Sequence, residues 1–219
     1  MSSIDNPILA QTAVSPRFSL PEAAERAGAF AMLALATPVI ATSAAVVRLI
    51  SRRSPFVAHL RVGRHGKPFW TFKLRSMWNS DHAGAAARGW IEYVVAEPDE
   101  GGKHRSDPRI ASRFAAFCRR HSIDELPQLW HVARGEMSLV GPRPLTRSEV
   151  ERHYGVRAAE LLSVKPGITG LWQVYGRSAI RFPQRSAMDL EMIRSLNARM
   201  YLRILLRTIP AIIRGNGAW

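Results

Sequence analysis

Asp124 and Glu125 stand side by side in the run Asp124-Glu125-Leu126-Pro127-Gln128-Leu129-Trp130, and Gly141-Pro142-Arg143-Pro144 follows close behind. Pro127 has no N–H to donate and fits a helix only in its first turn, which sets a helix start near Asp124. The two carboxylates then lie at the positive end of the helix dipole, where they stay ionised and where a phosphate is received. An ionised carboxylate can attack phosphorus to form an acyl phosphate. Its neighbour can help to hold Mg2+, a hard cation that takes oxygen ligands and keeps phosphate oxygens in its shell. Arg143, with a proline on either side, suits a forked contact with a phosphate. The acids also fit a quieter role, because Ser122-Ile123-Asp124-Glu125 has the Ser-x-x-Glu spacing of a capping box that only satisfies a helix terminus.

Such a site needs elements to hold it. Ala27 to Val47 is a stretch with no charged side chain, and about 20 apolar residues are enough to cross a bilayer as a helix. Ser19-Leu20-Pro21-Glu22 reads as the capping box that starts this helix, with Pro21 in the first turn. Pro38 predicts a kink near its middle, so the segment either crosses with a bend or dips into one leaflet and returns. An Ala-rich helix buried in a soluble core is the third option. From Ala27 to Ser80 there is no Asp or Glu, whereas Arg48, Arg52, Arg53, Arg61, Arg64, Lys67, Lys73 and Arg75 are basic. Basic residues beside a membrane segment mark the cytoplasmic, anionic face.

Further along, Phe69-Trp70-Thr71-Phe72 and Ile91-Glu92-Tyr93-Val94-Val95 read as strands, and residues 99 to 108 as loop. Helices are predicted over 111–120, 126–134, 147–163 and 187–213. In the last of these, Arg199, Arg203 and Arg207 recur every fourth residue among Met200, Leu202, Ile204, Leu205 and Ile209. That pattern suits a helix in the membrane interface and equally a soluble amphipathic helix packed on a core. The fold class expected is α+β, helix-rich, with little sheet.

A net charge of +14 calls for an anionic partner, and charge alone does not separate nucleic acid, anionic lipid and phosphorylated small molecules. There is no helix-turn-helix, zinc-finger spacing or basic-aromatic repeat to support nucleic acid. The single Cys118 excludes an intramolecular disulfide and a multi-cysteine metal site. It is most simply a small apolar side chain. The seven histidines show no metal-ligand spacing.

The run from Asp124 through Gly135-Glu136-Met137-Ser138-Leu139-Val140-Gly141-Pro142-Arg143-Pro144-Leu145 resembles the signature of bacterial sugar transferases, the small monotopic phosphoglycosyl transferases. Arg61-Val62-Gly63-Arg64-His65-Gly66-Lys67-Pro68-Phe69 with Lys73-Leu74-Arg75-Ser76-Met77 resembles the family's upstream block. Lys165-Pro166-Gly167-Ile168-Thr169-Gly170-Leu171-Trp172-Gln173-Val174-Tyr175-Gly176-Arg177 resembles its downstream block. The resemblance covers roughly residues 25 to 210. It departs in the last block, where Met192, Asn197 and Tyr201 replace the usual Tyr, Ser and second Asp. His59 also stands where a Gln is usual.

The resemblance implies transfer of a hexose-1-phosphate from a UDP-sugar to polyprenyl (undecaprenyl) phosphate with release of UMP, the initiating membrane step of exopolysaccharide or other surface-glycan assembly. It implies Asp124 as the nucleophile of a ping-pong reaction, Glu125 as its partner and the pair as the Mg2+ ligands. Arg143, Lys73, Arg75, Arg177 and Asp189 are then candidates for substrate and phosphate contact. For Lys73, Arg75 and Arg177 the alternative is an ion pair with Asp107, Glu136 or the lipid surface. For Asp189 it is a solvated helix face, and Gly167, Gly170 and Gly176 are assigned to turns.

The organisation expected is a tail over 1–18, a membrane-inserted, re-entrant helix over 19–50 broken at Thr37-Pro38, and a catalytic domain over 51–219 with a C-terminal interfacial helix. That domain faces the cytoplasm from the bacterial inner membrane. An inactive membrane-bound scaffold, or a basic module for anionic lipid or nucleic acid, is the alternative. The sugar and any homo-oligomer stay open.

Overall fold

The computed structural model describes residues 20–77, 86–95, 110, 112–176 and 179–215. The N-terminal tail, the loop over 99–108 and Arg177 lie outside them. Helix α1 (Glu22–Ser51) begins one residue after Pro21, which is its N-cap residue and makes no side-chain cap; Ser19 lies outside the described residues. A four-stranded sheet follows, built from β1 (Phe56–Val62), β2 (Pro68–Leu74), β3 (Ala86–Arg88) and β4 (Ile91–Val94) in the order β2-β1-β4-β3. β1 is antiparallel to β2 and parallel to β4. Helix α2 (Arg113–Arg120), a 3-10 turn (Ile123–Gln128) and α3 (Leu129–Ala133) lead to β5 (Ser138–Val140). The rest is helical: α4 (Arg147–Tyr154), α5 (Ala158–Leu161), α6 (Leu171–Tyr175), α7 (Phe182–Ser195) and α8 (Ala198–Arg214), interrupted by β6 (Gly167–Thr169), which pairs with β5 in parallel. The helix-rich α+β expectation therefore holds, with two small sheets.

Several boundaries differ from the sequence-based expectation. The helix predicted over 147–163 breaks at Gly155, whose φ of +49° no L-residue adopts cheaply. The one predicted over 187–213 starts earlier, at Phe182, and is two helices: Asn197 Oδ1 accepts the Met200 N–H at 2.9 Å and opens a new one. The strand β1 was not foreseen. Its Leu60-Arg61-Val62 alternation and the Gly63-to-Lys67 loop before β2 are nevertheless a hairpin pattern.

α1 is the one helix among the described residues that is long and apolar enough to cross a membrane. Pro38 lies inside it, and Thr37 and Thr42 direct their hydroxyls to Leu33 O at 2.8 Å and Pro38 O at 2.7 Å around it. Both ends of α1 are seated on the rest of the fold. At the start, Glu25 Oε1 accepts the Ser138 hydroxyl (2.6 Å), the Leu139 N–H (2.8 Å) and the Tyr201 hydroxyl (2.6 Å), while Arg26 bonds Ala133 O. At the far end, Ala44 and Val47 pack with Leu74 and Cys118. Between them Phe30, Leu35 and Val39 are exposed.

The departures in the last block acquire physical roles here. Met192 is buried with Val140 and Ile204, Asn197 caps α8, and Tyr201 supplies one of the three donors to Glu25. α8 turns Tyr201 and Ile204 inward but leaves Leu202, Leu206, Ile209 and Ile213 exposed, so it is a packed helix with a second apolar face outward.

Candidate active site

The 3-10 turn carries Asp124 and Glu125 with Pro127 inside it, so the start of helical structure falls where Pro127 placed it. Its N-cap residue, Ser122, is in the left-handed region (φ +55°) and makes no cap bond, so the capping-box reading of these acids is not realised. Glu125 instead receives two cations on one oxygen. Lys73 Nζ donates to Oε1 at 2.8 Å and Arg143 Nη1 donates to the same atom at 3.1 Å. All three side chains are partly exposed, whereas Asp124 is buried to 8% relative exposure.

Each cation is held by a different piece of sheet. Lys73 lies on β2 opposite Val57 of β1. Arg143 follows β5 on a turn fixed at both ends: Gly141 N–H donates to Thr169 O at 2.9 Å, and Val62 N–H donates to Leu145 O at 2.9 Å. A Cβ on Gly167 would stand 2.1 Å from Gly141 N, and one on Gly170 would stand 2.6 Å from Gly141 O. These two glycines therefore permit close backbone approach under the Arg143 turn and do not serve turns of their own.

The electrostatics follow from this packing. Burial depresses the Lys73 ammonium below its ordinary pKa, and Glu125 with Asp124 opposes that. Burial also acts to depress Arg143, but Glu125, Glu149 and Asp124 outweigh it and hold the guanidinium above its usual value. Burial, with Asp124 behind it, pushes the Cys118 thiol up to about 11, so Cys118 is an inert core residue.

The other sequence candidates lie elsewhere. Arg75 is buried, its guanidinium paired with Glu92 and its Nε donating to Ser54 O at 2.7 Å. It is committed to the sheet and is not available to a phosphate, because a buried guanidinium needs its carboxylate. Asp189 is neither on a solvated face nor open to substrate. Only 2% exposed, it accepts the Tyr154 hydroxyl at 2.7 Å, while its Oδ1 and the nearby Trp172 Nε1 are left without hydrogen bonds of good geometry. Burial pushes Asp189 up to about 7.

Arg185 escaped the sequence reading, as one arginine among many. Its guanidinium lies 4.5 Å from the Trp172 ring centroid, and Arg143 is near enough to help depress its pKa after burial. Among the described residues no group of three or more His, Cys, Asp or Glu is arranged for a metal. A Mg2+ ion bound together with phosphates needs only one or two protein carboxylates, and Asp124 and Glu125 supply that number and kind of donor.

Glu125, gripped by a lysine and an arginine beside the buried Asp124, forms a charge-balanced acidic site on a unit that also carries a long apolar helix. The chain belongs to the bacterial sugar transferase family, whose sequence model matches residues 18–215. It is 38% identical over 195 residues to a UDP-galactose-lipid carrier transferase of Erwinia amylovora, covering 88% of this chain and 40% of that protein. It is 34% identical over 193 residues to the exopolysaccharide production protein ExoY of Rhizobium meliloti, covering 85% and 82%. It is 33% identical over 196 residues to a UDP-glucose:undecaprenyl-phosphate glucose-1-phosphate transferase of Caulobacter vibrioides, covering 86% and 67%. The chain thus spans less than half of the first of these relatives and most of the second.

Proposed function

We propose that this chain transfers a hexose-1-phosphate from a UDP-sugar to undecaprenyl phosphate and so initiates a surface polysaccharide. The observation that carries the reading is the meeting of Glu125 with Lys73 and Arg143, from three separate elements, beside the buried Asp124, whose charge acts on both cations. Asp124 attacks the sugar-bearing phosphorus, a P–O bond forms to its carboxylate, the bond to UMP breaks, and UMP leaves. The lipid phosphate then attacks the same phosphorus, the acyl-phosphate bond breaks, and Asp124 is regenerated. Glu125 keeps Lys73 and Arg143 aimed at the charge that develops on the phosphoryl oxygens. Mg2+, held by Asp124 and Glu125, would neutralise diphosphate charge when bound.

The support for a re-entrant α1 is that Glu25 and Arg26 at one end and Ala44 and Val47 at the other contact the same folded unit. A spanning helix would put those ends on opposite sides. The exposed apolar faces of α1 and α8 then enter one leaflet, and the flanking arginines put the catalytic unit on the cytoplasmic side. An N-terminal tag labelled only after cells are permeabilised fits this topology, and labelling on intact cells contradicts it.

The test of function is UMP release in nanodiscs with Mg2+ across UDP-galactose, UDP-glucose and N-acetylated UDP-sugars, with and without undecaprenyl phosphate. Lipid-dependent turnover with a wild-type protein and none with Asp124→Asn is expected. Folded wild-type protein that releases no UMP from any donor would leave the scaffold reading in its place.

A further inference from the structure

His131 belongs to no part of the chemistry above, yet it is buried beside it. It lies on α3, directly after the turn that carries Glu125, and its Nε2 accepts the backbone N–H of Phe72 at 3.0 Å. Phe72 is the neighbour of Lys73 on β2. The two segments that meet in the Lys73–Glu125 pair are therefore joined twice, once by that pair and once behind it by an imidazole.

The ring is held on every side. Nδ1 is 2.7 Å from Glu136 Oε2, and Phe69 and Phe72 lie against the ring at centroid distances of 5.6 and 4.8 Å. Because Nε2 faces an N–H, it must present a lone pair, so the proton is on Nδ1 and is donated to Glu136. The charged groups acting on the ring are Glu136 and Arg134, and burial outweighs Glu136 to hold its pKa below the ordinary value. Arg134 in turn reaches the other oxygen of Glu136 at 3.2 Å. β2 meets the ring with Phe69 and Phe72, and the charged side chains of α1 nearest this helix, Arg26 and Glu22, engage Ala133 O and Lys165.

We infer that His131 is a positioning residue for the reaction: as a neutral acceptor it fixes β2 against α3, and through Phe72 it sets where Lys73 meets Glu125. The inference rests on the reading that Asp124 and Glu125 are the reactive pair. A misplacement of about 1 Å in a catalytic group can cost on the order of a hundredfold in rate. A partial slackening through one lost backbone bond costs less.

The experiment uses the full chain in nanodiscs, with UDP-galactose and UDP-glucose as donors. His131→Gln, whose amide oxygen can take the place of Nε2, is expected to keep kcat within about threefold of wild type, and His131→Leu to lower kcat about tenfold with little change in KM. In a Lys73→Met background His131→Leu is expected to cost less than about twofold more, since residues acting through one contact are not additive. A full tenfold loss in that background would show His131 acting independently of Lys73 and would overturn the inference. If Asp124→Asn keeps turnover, the reading of the reactive pair is at fault instead.

A second readout needs no activity. The chain has only four lysines, Lys67, Lys73, Lys103 and Lys165, so 13C-labelled lysine side chains give a sparse spectrum, with Lys73 assigned by Lys73→Arg. His131→Leu is expected to shift the Lys73 signal and leave Lys165, which pairs with Glu22, in place; His131→Gln should leave both. A Lys73 signal indifferent to His131→Leu would refute the positioning role.

Discussion

Two carboxylates of this protein, Glu125 and Asp189, are both largely enclosed, and their surroundings differ in sign. Glu125 accepts from Lys73 and Arg143 at the edge of solvent. Asp189 is interior, with one hydroxyl donor from Tyr154 and a second oxygen that has only the poorly aligned Trp172 indole N–H nearby. The first environment supplies positive charge; the second mainly removes water and pushes Asp189 up to about 7. A carboxylate at a site for anions must have its charge balanced by cations, whereas one in the helical core can hold a proton near neutral pH. Glu125 thus has the surroundings of a group proposed to face substrate, and Asp189 those of a group that shapes the fold beneath.

The largest effect that would break this contrast is at Arg143. Arg143→Ala is expected to lower turnover roughly 10²- to 10³-fold, the usual cost of losing one preorganised group aimed at developing charge, with little change in Tm. A variant that unfolds while its residual activity per folded molecule stays normal would move Arg143 to the structural side.

Next comes pH. Asp189 has a folded pKa of about 7 against an ordinary 3.8. The folded state therefore holds the proton through that interval while the unfolded state has lost it, and stability falls as pH rises from about 4 to about 7. Asp189→Asn cannot titrate. The stability of wild type relative to Asp189→Asn is expected to decline by a few kcal/mol across that window and to be flat above it. Chemical denaturation at a series of pH values measures it; a rise with pH would mean that Asp189 is ionised in the fold.

Tyr154→Phe should cost about 1–3 kcal/mol, because it leaves a buried acceptor without its donor. It should also raise Asp189 further, since the tyrosine bond opposes the effect of burial. The smallest effect lies on neither carboxylate: Asn197→Ala should cost about 1 kcal/mol through the lost cap of α8, and Asn197→Ser much less.

How far the sequence was legible follows the same division. Asp124, Glu125, Lys73 and Arg143 were readable, and Pro127 placed the start of helical structure at the acids. Local features marked Asp124, Glu125 and Arg143, whereas Lys73 stood out only through the resemblance of its block to the family. What was not readable depends on partners far along the chain. Nothing near Arg75 shows that Glu92 will take it into the sheet, and nothing near Tyr201 shows that Glu25 awaits its hydroxyl. β5 and β6 are each three residues long, too short for any periodicity to register. Asp189 reads as one acid on a mixed helix because burial comes from α4 and α6 packing over α7. His131 reads as an unremarkable histidine until Phe72 is brought to it.

The account stands on Asp124 as the atom donor to phosphorus. The direct measurement is a rapid quench of the nanodisc protein with UDP-sugar labelled at the β-phosphate, no lipid acceptor present, followed by peptide mapping. The account predicts stoichiometric UMP, label on the peptide bearing Asp124, discharge of that label by undecaprenyl phosphate, and no label in Asp124→Asn. Labelled lipid product formed with the protein never labelled, or label found on Glu125, would contradict it.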